Sequence, residues 1–77
     1  MNENERIINN IEESLVSMVD SRTHLELVRH NMMNGIKHPE SRIVSFDLDV
    51  LDATILAMMA QEQLMRTLLV EYKARQE

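Results

Sequence analysis

Between Ile43 and Tyr72 the sequence carries two apolar rows that would lie on opposite sides of a single helix. The first row is Val44, Leu48, Leu51, Ile55, Met58, Met65, Leu69 and Tyr72, with Glu62 as its one polar interruption. Its steps alternate between four and three residues, the spacing of a helical seam. The second row is Ile43, Phe46, Val50, Ala53, Ala57, Ala60 and Leu64, with Leu68 beside it. A helix with one partner needs one apolar stripe, so two stripes ask for two partners. The rest of the chain supplies one.

That one partner is readable upstream. Asn2 followed by Glu5 has the form of a capping box, and Glu3 and Glu5 suit the positive end of a helix. Ile8, Ile11, Leu15, Met18, Arg22, Leu25, Arg29 and Met32 then follow at seam spacing with no breaker among them. The remaining faces are mostly polar; Val16, Val19, Leu27 and Val28 are apolar exceptions that form no continuous row. The chain has a single Gly and a single Pro, which leaves room for about one break. They fall together in Asn34-Gly35-Ile36-Lys37-His38-Pro39-Glu40. Gly35 suits a left-handed residue just past a helix end, with Ile36 as the apolar residue that follows. Pro39 and Glu40 suit the first turn of the next helix, and Lys73 and Arg75 suit its last turn. The expectation is one all-α domain over residues 1–77, an antiparallel, coiled-coil-like two-helix hairpin. Helix 1 covers about 3–34, the turn 35–38 and helix 2 about 39–75.

In an antiparallel hairpin facing residues have numbers of constant sum. A sum of 80 pairs Ile8 with Tyr72, Ile11 with Leu69, Leu15 with Met65 and Met18 with Glu62. It continues through Arg22 with Met58, Leu25 with Ile55, Arg29 with Leu51, Met32 with Leu48 and Ile36 with Val44. Each rung joins an a position to a d position, as antiparallel packing requires. Arg22 and Glu62 fall in adjacent layers, which predicts one ion pair at the seam's edge. The ladder uses the first row and leaves the second bare, so a third element, from another chain, is expected to cover it. The expected anchors there are Ile43, Phe46, Val50, Ala53, Ala57, Leu64 and Leu68. Small Ala53, Ala57 and Ala60 would let a partner helix approach closely.

Other chemistries find little support. Eight Lys and Arg against 13 Asp and Glu give a formal charge of -5, and the basic residues are scattered, so no nucleic-acid footprint appears. There is no cysteine for a disulfide or a thiolate site. The acidic, polar start is unlike a secretory signal, and no apolar run approaches a membrane span, so a cytoplasmic location is expected. Asp47, Asp49 and Asp52 resemble the start of a calcium loop, but no Gly or closing Glu follows at the required spacing. His24, His30 and His38 form no ligand pair, and no nucleophile elbow or phosphate loop occurs. Neither a cofactor nor a metal nor an enzymatic role is expected. Met32 and Met58 read as seam filling, whereas Met33 and Met59 flank the seam and suit either packing or a wider contact surface.

The segment Asn31-Met32-Met33-Asn34-Gly35-Ile36-Lys37-His38-Pro39-Glu40, set between a one-sided first helix and an apolar second one, resembles a known family. It is similar to the small E-type co-chaperones of type III secretion needle subunits, the YscE/SsaE/EscE group. The likeness covers most of the chain in pattern and about ten residues in letters. The sequence departs from the group in having Phe46 and Tyr72 as its only aromatics and a long, Met-rich second helix. The resemblance implies a partner, a tetratricopeptide-like chaperone, and through it a needle subunit kept soluble in the cytoplasm before export in a virulence system. The alternative is a homodimeric four-helix-bundle adaptor or regulator, phage-encoded or otherwise, that acts by protein–protein binding.

Overall fold

The structure is a computed structural model that describes residues 2–36 and 45–75. It contains two helices, α1 (Glu3–Ile36) and α2 (Ser45–Ala74), packed side by side as an antiparallel hairpin. Its principal extents are 59 × 17 × 13 Å, the dimensions of a rod two helices thick. Ile43, Val44 and the turn residues from Lys37 to Glu40, with the expected start of helix 2 at Pro39, lie outside the described residues.

Local chemistry explains the ends. The Glu5 backbone N–H donates to Asn2 Oδ1 at 2.7 Å, so Asn2 is the N-cap of α1. The Arg6 N–H donates to the Asn2 carbonyl at 3.1 Å and closes the first turn. Glu3 pairs with Arg6 at 2.6 Å on the exposed side of that turn, adding negative charge where the helix dipole favours it. At the other end of α2 the Arg75 N–H donates to the Glu71 carbonyl, and the Arg75 guanidinium lies 4.5 Å above the Tyr72 ring.

One expectation is corrected here. Helix 1 does not stop before Gly35. It runs through Gly35 to Ile36, and no described glycine has a positive φ. A left-handed cap at Gly35 is therefore absent. Glycine in a helix costs about 1 kcal/mol relative to alanine, and the helix nonetheless extends two residues past the expected end at residue 34.

The seam follows the constant-sum ladder. Every described seam position, from Ile8 to Met32 on α1 and from Leu48 to Tyr72 on α2, is buried or half-buried. Ile8, Ile11 and Ile55 are the buried apolar side chains. Polar bonds across the helices have the same register. Asn4 Nδ2 donates to the Tyr72 carbonyl at 3.2 Å, and Lys73 Nζ lies 3.2 Å from Glu12 Oε1. Arg29 pairs with Asp52, and Arg22 pairs with Glu62. The residue numbers of these four pairs sum to 76, 85, 81 and 84, scattered about 80 by at most five. The Ile36–Val44 rung falls outside the described residues.

Two helices cannot enclose a core, and most seam side chains keep some contact with water. Adjacent residues on α2 therefore differ sharply in what they contribute. Ile55 is 7% exposed, while Leu56 is 65% exposed. Ile55→Ala is expected to lower the unfolding free energy by about 2–3 kcal/mol, the low end for truncating a buried aliphatic side chain. Leu56→Ala should stay within about 0.5 kcal/mol of the parent chain. Urea unfolding followed by circular dichroism checks both; equal losses at the two positions would contradict the register.

Candidate functional site

The rotation of α2 about its own axis decides which of its rows faces water, and a buried carboxylate fixes that rotation. Glu62 is the most buried side chain described, at 1% exposed. Both its oxygens are engaged by Arg22: Nε donates to Oε2 at 2.5 Å and Nη2 to Oε1 at 3.1 Å. This is the two-pronged geometry that suits guanidinium and carboxylate. Arg22 Nη1 also donates to Glu26 Oε1 at 2.7 Å, and Arg66 approaches Glu62 at 3.7 Å. The ion pair expected between Arg22 and Glu62 is present, but Glu62 sits within the seam rather than at its edge.

Residues two apart on a helix point about 200° apart. With Glu62 held inward, Leu64 must point out, and it is 71% exposed. The same relation sets Leu48, half-buried, against Phe46 and Val50, which are 70% and 51% exposed. Ala53, Ala57 and Ala60 are exposed as well, and Leu68 is half-buried at the end of the row. The structure thus brings Phe46, Val50, Ala53, Ala57, Leu64 and Leu68 onto one face, and Ile43 lies outside the described residues. The exposed Leu56 widens this face, because it lies three residues from Ala53 and four from Ala60. Met33 and Met59 are partly exposed, and Val16, Leu27 and Val70 stand singly in otherwise polar surroundings.

Charge is nearly absent from the outer face between Val50 and Leu68. Of the three charged residues in that span, Asp52 pairs with Arg29 and Glu62 with Arg22 of α1, and Arg66 approaches Glu62 along its own helix. Asp52 is therefore one half of a cross-helix pair and not part of an acidic cluster with Asp47 and Asp49. Among the described residues no three His, Asp, Glu or Cys side chains converge as a ligand set, and no pocket is formed. His24 and His30 are exposed, with His30 Nε2 3.4 Å from Asn34 Nδ2; His38 lies outside the described residues. No described helix is long and apolar enough to cross a membrane.

No protein-family model, curated protein or solved structure matches this chain. The outer face of α2 therefore has to be judged by its own geometry.

The pair has a pH signature. Hydrogen bonds from Arg22, helped by the charges of Arg22 and Arg66 and opposed by burial, hold the Glu62 carboxyl below its ordinary range. The Arg22 guanidinium is in turn pushed up by the hydrogen bonds it donates to Glu62 and Glu26. A carboxylate whose folded pKa lies below its unfolded value, about 4.3 for Glu, stabilises the fold above that value. The contribution fades as pH falls through the folded pKa. Thermal melts between pH 7 and pH 2 should show stability falling below about pH 4, and Glu62→Gln should flatten that fall. In a second experiment, Arg22→Ala and Glu62→Ala should each lower the melting temperature more than the double substitution does, since each alone strands a buried partner. Additive losses at pH 7 would show that the two groups are uncoupled.

Proposed function

We propose that this hairpin is a non-catalytic binding protein whose working surface is the outer face of α2. One observation carries the reading: an apolar row with Phe46, Val50 and Leu64 at half or more of their full exposure lies across the helix from the seam. Contiguous apolar surface of this kind, bordered by polar side chains, marks contact with another protein far more often than it is left to water. The mechanism is helix-face docking. Phe46, Val50, Leu64 and Leu68 are the anchors, and the alanines between them let the partner backbone approach closely.

The resemblance to the needle co-chaperones gives this reading a partner class. On that reading the hairpin joins a tetratricopeptide-like chaperone in the cytoplasm. Its α2 row completes the chaperone's helical array, and together they keep a needle subunit soluble before export. Support comes from the hairpin form and from the bare row on its second helix. The partner's groove must be apolar at its centre, because the face presents no charge between Val50 and Leu68 with which to match a charged one.

Mixing the hairpin with a tetratricopeptide chaperone of a needle-secretion system should give a stable one-to-one complex in size-exclusion chromatography. Val50→Asp and Leu64→Asp should each weaken it by at least about 30-fold, since each places an unpaired carboxylate in an apolar contact. Neither should alter the hairpin's helicity. A complex that survives both substitutions would place the interface elsewhere, and a folded hairpin that forms no complex would remove this partner class.

A further inference from the structure

Methionine gathers where the buried ion pair lies. The chain has seven methionines and no cysteine. Met58 and Met59 come four and three residues before Glu62 and Met65 three after it, so all are its neighbours on α2. The constant-sum ladder sets Met18 opposite Glu62 and Met58 opposite Arg22. These two rungs make a square of four side chains. Arg22 and Glu62 bond along one diagonal, and Met18 and Met58 take the other. One rung further on, Leu25 and Ile55 fill the seam without sulfur. We propose that this square is a redox-sensitive switch, in which a peroxide converts Met18 and Met58 to sulfoxides whose oxygens draw Arg22 away from Glu62. The switch concerns the hairpin alone; only its effect on a partner rests on reading the outer face of α2 as a docking surface.

The ion pair has two arrangements available to it. In the one observed, Arg22 holds Glu62 across the helices with two hydrogen bonds. Each member also has a second partner four residues along its own helix. Arg22 Nη1 donates to Glu26 Oε1 at 2.7 Å, and Arg66 Nη2 lies 3.7 Å from Glu62 Oε1. If the cross-helix bonds break, Arg22 keeps Glu26 and Glu62 keeps Arg66. No charge is then stranded, but nothing polar at this layer any longer aims α2 at α1. A switch requires such a pair of discrete arrangements and a local change that biases one of them.

Oxidation supplies the bias. The thioether sulfur attacks one oxygen of hydrogen peroxide or an alkyl hydroperoxide, the O–O bond breaks and an S–O bond forms. The sulfur gives up two electrons. The other oxygen leaves as water or an alcohol, taking the proton of the oxygen transferred. Met18 and Met58 are both half-buried in a seam that two helices do not enclose, so a small oxidant reaches this layer while the hairpin stays folded. The product is polar where the reactant was apolar, and it needs a hydrogen-bond donor. Arg22, with its side chain 19% exposed, is the donor that shares these rungs. A guanidinium drawn to the sulfoxide diagonal leaves Glu62, which at 1% exposure lies too deep to turn to water and turns to Arg66 instead. Methionine sulfoxide reductases reverse the step, removing the oxygen as water while a pair of thiols is oxidised.

Two variant chains separate these methionines from the rest. One keeps Met18 and Met58 and carries Met32→Leu, Met33→Leu, Met59→Leu and Met65→Leu. The other carries only Met18→Leu and Met58→Leu. Leucine conserves the volume of methionine, so both chains should fold, and the parent chain is measured beside them. Each is treated with hydrogen peroxide, and mass spectrometry of its peptides gives the oxidised positions. NMR then follows the Arg22 Nε–H resonance, which reports the bond to Glu62. In the first chain and in the parent, oxidation should move this resonance and lower the melting temperature by at least about 5 °C. Methionine sulfoxide reductases should restore both. In the second chain, oxidised at its remaining methionines, the resonance should stay in place. The proposal is overturned if Met18 and Met58 resist peroxide that oxidises the exposed Met33 and Met59. It is overturned equally if their oxidation leaves the Arg22 resonance unmoved, or if the second chain shows the same shift. None of these readouts involves a second protein, so the failure of the docking reading and the failure of the switch are distinguishable.

Discussion

The contact between Arg22 and Glu62 governs this hairpin out of proportion to its size. Two amphipathic helices with apolar seams can slide by a turn, or rotate by part of one, at modest cost, because methionine and leucine adapt to new neighbours. A carboxylate at 1% exposure cannot. Moved by one turn it would lose both hydrogen bonds from Arg22 and remain out of water. The pair is thus better understood as a selector of register than as a source of stability, the role best attested for polar groups in helical seams.

The exposure of the proposed docking face follows from register through a single geometric step. With Glu62 inward, the row through Val50, Ala57 and Leu64 is outward, and the acidic residues of that span, Asp52 and Glu62, pair with arginines of α1. A chain that needed only to fold as a hairpin would carry polar residues in that row. Instead the second helix carries apolar side chains on two opposite sides, while α1 has polar residues over most of its outer side. The docking face proposed for α2 rests on this asymmetry.

Much of this was legible in the sequence. One glycine and one proline allowed one break, and one break turned the register into arithmetic, so that Arg22 and Glu62 could be matched across forty residues. The depth of Glu62 was not legible, because adjacent layers in a heptad ladder do not say how far the helices rotate toward one another. Gly35 misled for a related reason. Its freedom to take a left-handed conformation is a permission rather than an instruction, and the helix runs through it to Ile36. Leu56 was missed because counting by threes and fours from Ala53 passes to Ala57, although a helix face is wide enough to include its neighbour. The cross-helix partner of Asp52 was hidden by its resemblance to part of an acidic cluster.

The most direct test replaces the pair with apolar residues of similar bulk, Arg22→Leu together with Glu62→Leu, and records an amide ¹⁵N–¹H NMR spectrum. If the pair selects the register, the variant should melt no lower than the parent chain yet show several sets of α2 resonances, as hairpins of different register and rotation interconvert. A single set of resonances, with the parent's contacts between Ile11 and Leu69 and between Leu25 and Ile55 intact, would contradict the account. The apolar seam alone would then be sufficient to aim α2.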